Sequence, residues 1–125
     1  MELQSVGFYS EYRKMKNGIY PSIKEFKMNN EIEDFEKIVD YLKNGVLVSG
    51  MRHIEYCCLS DERIGPPMVY TDGSWVWTTE FVHHLETHKI EVPVELINHI
   101  KQKNFLPKKD DEIGNELTDF IFENY

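Results

Sequence analysis

Ten residues near the middle of the chain, Met68-Val69-Tyr70-Thr71-Asp72-Gly73-Ser74-Trp75-Val76-Trp77, restrict the fold more than any other stretch. Two apolar and aromatic runs flank Asp72-Gly73, and that dipeptide tolerates the positive φ that a two-residue hairpin loop demands at both central positions. A loop centred on Asp72-Gly73 opposes Thr71 to Ser74, Tyr70 to Trp75, Val69 to Val76 and Met68 to Trp77. Opposed residues share a face and successive pairs alternate. Met68, Tyr70, Trp75 and Trp77 therefore form one aromatic face, and Val69 and Val76 the other. An aromatic face of this kind needs cover, and helices are its usual cover.

The flanking sequence provides helices. Ile32, Phe35, Ile38, Val39 and Leu42 repeat at helical spacing. Asn30 is placed to cap that helix, Glu33 completes a capping-box pattern, and Gly45 is placed as a left-handed C-cap. After the hairpin the period becomes helical again, with Phe81, Val82, Leu85 and His88 on one stripe and Thr78 or Thr79 as N-cap. Val92-Pro93 opens a further helix with Leu96, Ile97 and Ile100 inward. Asp110-Asp111 begins a last one carrying Ile113, Leu117, Phe120 and Ile121. Residues 3–12, 46–48 and 53–60 read as strands, with turns at Gly18 to Ser22 and at Gly65-Pro66-Pro67. The reading is a single α+β domain over residues 1–125: a small antiparallel sheet, including the 68–77 hairpin, packed against three to four helices. A chain of 125 residues with 41% hydrophobic and 13% aromatic content can build such a core without a disulfide framework or a structural metal.

The 22 acidic and 14 basic residues leave a formal charge of −8. That sign repels phosphate backbones and anionic lipid, which argues against nucleic acid and membrane surfaces and favours a cationic partner. Solubility is the ordinary reason for such a charge and accounts for it without a basic partner. Lys101, Lys103, Lys108 and Lys109 make a modest basic patch, answered by Asp110, Asp111 and Glu112. The first residues lack the basic start and apolar stretch of a signal peptide, and no apolar run reaches the ~20 residues that span a bilayer. Cys57 and Cys58 are adjacent, so free thiols in a reducing cytoplasm are the expectation.

Histidines are the one catalytic lead. His84 and His88 stand four apart on a helix with Glu80 a turn earlier, so they can converge on one ion. His83 points about 100° away from that line, and Glu86 is out of phase with the metalloprotease pattern. A third ligand has to come from elsewhere, with His99 on the next helix as the candidate. His84, His88 and His99 thus define an alternative reading as a metal-binding protein or metal-dependent hydrolase. Neither cysteine has an evident base nearby, and no nucleophile elbow or phosphate-binding loop is present. No catalytic residue and no cofactor is assigned. Asp61, Glu62, Asp72 and Trp75, acids around an aromatic in loops facing solvent, are the candidate partner-binding residues.

The hairpin, its following helix, and Val92-Pro93-Val94-Glu95-Leu96-Ile97 together resemble a group of small, mostly uncharacterised bacterial proteins with a threonine-aspartate-glycine, tryptophan-rich hairpin. Tyr20-Pro21-Ser22-Ile23 and Tyr41-Leu42-Lys43-Asn44-Gly45 extend the likeness over most of residues 5–105. His83, His84 and His88 stand where that group carries aromatics, and Thr78 where it carries proline, which marks packing or interface positions. Proteins of this type are similar to immunity proteins of bacterial polymorphic-toxin systems. The resemblance implies a non-enzymatic protein that neutralises a cognate toxin with a basic surface, such as a nuclease domain. A regulatory or scaffold domain is the remaining alternative.

Overall fold

A computed structural model describes residues 3–13, 20–109 and 112–125. Its main sheet has four strands in the order β1 (Gln4–Ser5), β6 (Trp75–Thr78), β5 (Met68–Thr71) and β2 (Val46–Gly50). β5 pairs antiparallel with both β6 and β2, while β1 runs parallel to β6 and makes the sheet mixed. A second, two-stranded sheet joins β3 (Glu55–Tyr56) to β4 (Arg63–Gly65). The helices are α1 (Phe35–Lys43), α2 (Thr79–His88), α3 (Val94–Gln102) and α4 (Asn115–Asn124). This is the α+β class expected of the chain.

The hairpin turns one residue later than its dipeptide predicts. Thr71 faces Val76, Tyr70 faces Trp77 and Val69 faces Thr78, so Gly73-Ser74 occupy the loop. Gly73 takes the positive φ, +97°. Asp72 closes the turn from its stem: its Oδ1 accepts from the backbone N–H of Ser74 and Trp75, both at 2.9 Å. Moving every partner by two residues preserves the alternation, and the two faces come out as expected. Trp75 and Trp77 sit in the larger core with Ile38, Leu42, Phe81, Leu85, Leu96 and Ile100, drawn from α1, α2 and α3. Val69 and Val76 pack on the opposite side with Phe8 and with Ile121 of α4. Trp77 is fully buried, and its indole N–H donates to the Leu42 carbonyl at 3.0 Å.

Several element ends differ from the sequence reading. α1 starts at Phe35 behind Asp34, which sits at φ +57°, and makes no use of Asn30 and Glu33 as a cap. The Asn30 amide instead donates to the carbonyls of Lys27 and Lys89, lacing this loop to the end of α2. A capping box does form, around the 3-10 turn Ile23–Glu25, between Ser22 and Glu25. Gly45 is not left-handed; Asn44 is the C-cap, and a Cβ on Gly45 would lie 2.4 Å from Trp77 Cζ2. The expected 3–12 strand shrinks to two residues because the chain turns at Gly7, φ +84°, where it presses on Phe81. The 53–60 strand likewise shrinks to Glu55–Tyr56. Thr78 caps α2 through Phe81 N–H, and Pro93 precedes α3 as its cap residue. The proposed start of the last helix, Asp110-Asp111, and Gly18-Ile19 of the early turn lie outside the described residues. Of the apolar residues at helical spacing in the last helix, Ile121 is buried and Phe120 is exposed.

Candidate functional site

Of the four expected partner-binding residues, two are inside. Asp72 is 3% exposed and Trp75 5%, so neither can anchor a partner. Asp72 faces inward because it caps the hairpin loop there, and its Oδ2 accepts from the Tyr41 hydroxyl and meets His99 Nε2 at 2.7 Å. Burial alone would raise its pKa. The Tyr41 hydroxyl, the Trp75 and Ser74 N–H groups and His99 outweigh burial and hold it below the usual carboxylate value.

His99 is thereby committed to Asp72, and the triad His84, His88 and His99 does not assemble. A different set does. Ligand atoms of Cys57, His83, His84 and His88 all lie within 4.8 Å of one another. α2 contributes three of the four; Cys57 arrives from the connection between β3 and β4. The three imidazoles pack together with ring centroids 5.1 to 6.1 Å apart. Cys57 Sγ is 3.7 Å from His88 Nε2, so the thiol does have a base beside it. Both cysteines are free, Cys57 buried and Cys58 exposed.

The cluster is anchored but not saturated. His84 is fully buried, and its Nε2 lies 2.8 Å from the Tyr12 hydroxyl, whose oxygen also accepts from Cys58 N–H at 2.9 Å. His84 Nδ1 and His83 Nε2 are buried without a hydrogen-bond partner among the described residues. Burial first, then the neighbouring His83 and His88, push the His84 pKa down to about 4. His83 is lowered too, chiefly by burial. Sequence reasoning found His84 and His88 and excluded His83 on helical phase. Three histidines within six residues were the available signal; nothing local marked Cys57.

Asp61 and Glu62 are exposed, as expected, at the tip of the connection between β3 and β4. This loop is braced internally: Cys57 N–H donates to the Glu62 carbonyl at 2.7 Å and Asp61 N–H to the Cys57 carbonyl at 2.9 Å. Around the two acids stand Tyr56, 57% exposed, and Leu59, 44% exposed.

No protein-family model, curated protein or solved structure matches this chain. Among the described residues no helix is long and apolar enough to cross a membrane.

Proposed function

We propose that this chain is a non-enzymatic binding protein, an immunity protein that neutralises a cognate bacterial toxin by covering a basic surface on it, such as that of a nuclease domain. The observation that carries the reading is the end of β3 and the loop that follows it to β4, where Tyr56, Leu59, Asp61 and Glu62 are all exposed. An aromatic side chain anchors an interface by excluding water from a pocket on the partner, and carboxylates around it steer a cationic surface into place. Tyr56 takes the anchoring role for which the sequence offered Trp75. The net charge of −8 extends the same attraction over the whole molecule. The likeness to immunity proteins supports the same class of partner, and the reading puts the protein in the cytoplasm, where such a toxin would act.

The test uses the product of the gene adjacent to this one. A toxic product that forms a one-to-one complex with this chain, and is silenced by it in cells, is the expected result. Tyr56→Ala should weaken the complex about tenfold or more. Asp61→Lys combined with Glu62→Lys should slow association, most at low salt. An adjacent product that is harmless to cells and does not bind this chain would overturn the proposal.

A further inference from the structure

We propose that Cys57, His83, His84 and His88 form a closed binding site for one divalent transition-metal ion of the zinc or cobalt class. The donor set is one thiolate and three imidazoles, the borderline-soft combination such ions favour over oxygen-rich sites. Four protein ligands complete a tetrahedron and leave no open position, so the role is structural, not catalytic.

Geometry supports the assignment at three points. A tetrahedral site with bonds of about 2.0–2.3 Å holds its ligand atoms about 3.3–3.7 Å apart. The Cys57 Sγ to His88 Nε2 distance, 3.7 Å, is already in that range, and the remaining separations are at most 4.8 Å. Next, the cluster contains two buried ring nitrogens, His84 Nδ1 and His83 Nε2, that no protein group satisfies among the described residues. A buried polar atom left unpaired is costly, and two on neighbouring residues of one cluster of ligand side chains point to a shared ligand. Finally, the outer side of His84 is built as metal-binding histidines require. The tautomer that donates Nε2–H to the Tyr12 hydroxyl oxygen leaves the lone pair on Nδ1, the buried nitrogen that no protein group satisfies among the described residues.

Coordination would bond the ion to Cys57 Sγ as its thiol proton leaves for solvent. It would then tie the loop between β3 and β4 to α2. That loop presents Leu59, Asp61 and Glu62 beside Tyr56 at the end of β3, so the ion would fix the shape of the proposed toxin-binding surface. This consequence rests on the partner reading; the site itself does not.

The experiment is a cobalt(II) titration of tag-free, chelator-treated protein, read by absorption, followed by displacement with zinc(II). No partner is present, so its failure leaves the toxin-binding test untouched. The expected result is saturation at one equivalent, with tetrahedral ligand-field bands and a thiolate-to-cobalt charge-transfer band that zinc abolishes. Cys57→Ser should lose the charge-transfer band, and His88→Gln should bind at least tenfold more weakly. Cys58→Ser and His99→Gln should behave as the unmodified protein. Absence of saturable uptake, a charge-transfer band that survives in Cys57→Ser, or its loss in Cys58→Ser would each overturn the site. Should circular dichroism show Cys57→Ser unfolded, His88→Gln decides, because His88 is only half-buried; unchanged affinity there would also overturn it.

Discussion

Asp72 is a carboxylate kept ionised in the core, and its protonation couples folding to pH. Hydrogen bonds from Tyr41, the Trp75 and Ser74 N–H groups and His99 hold its folded pKa below the ordinary value of 3.8, against the opposing effect of burial. A carboxylate with a depressed folded pKa contributes stability in full above its unfolded pKa, and loses it as pH falls through the folded value. Tyr41→Phe removes one donor and raises that folded pKa. Urea denaturation should then show a loss of about 1.5–3 kcal/mol at neutral pH, as expected for a hydrogen bond to a charged group. The loss should shrink as pH falls through the folded pKa of Asp72, because a protonated carboxyl no longer draws the same strength from the donor. Asp72 was legible in the sequence as a turn residue, because aspartate before glycine is common loop grammar. Its burial was not legible, since that depends on Tyr41 and His99, which lie 31 and 27 residues away.

At the scale of elements, strand and helix cores were readable and their ends were not. Periodicity located the hairpin, α2 and α3 because each buries a continuous stripe, and burial selects for apolar residues at fixed spacing. Ends are set by what the flanking backbone touches. Asn30 had the residue type of a cap, yet its amide is taken by two carbonyls of neighbouring loops. Gly45 had the place of a left-handed terminator, but it is glycine for another reason: α1 ends against the Trp77 ring. Gly45→Ala should therefore destabilise by about 1–3 kcal/mol through overpacking, with the cost seen in urea unfolding. A stability unchanged within about 0.5 kcal/mol would show that the ring can shift aside.

Across the whole molecule, the N-terminal segment is fastened by a buried ion pair. Arg13 donates from Nε to Glu80 Oε2 at 2.6 Å and from a terminal nitrogen to Oε1 at 3.1 Å, while Glu80 is fully buried. Burial raises the Glu80 pKa and Arg13 works against that rise. Arg13→Ala leaves the carboxylate without its partner and should cost about 3–5 kcal/mol. The double substitution Arg13→Met with Glu80→Leu removes both charges and should recover most of that loss, since well-packed apolar replacements of a buried pair are often neutral. Denaturant midpoints of the single and double variants check both expectations.

The two partners of that pair are 67 residues apart, and the same separation of scales runs through the protein. The sequence by itself determined the α+β class, the hairpin with its aromatic face inward, the helical stripes and the acidic character, because each follows from residue type and short-range period. The tertiary structure alone decided which polar residues meet. It buried Asp72, paired His99 with it, and brought Cys57 to three histidines of α2. Such contacts join segments far apart in sequence, and no local pattern of residues records them.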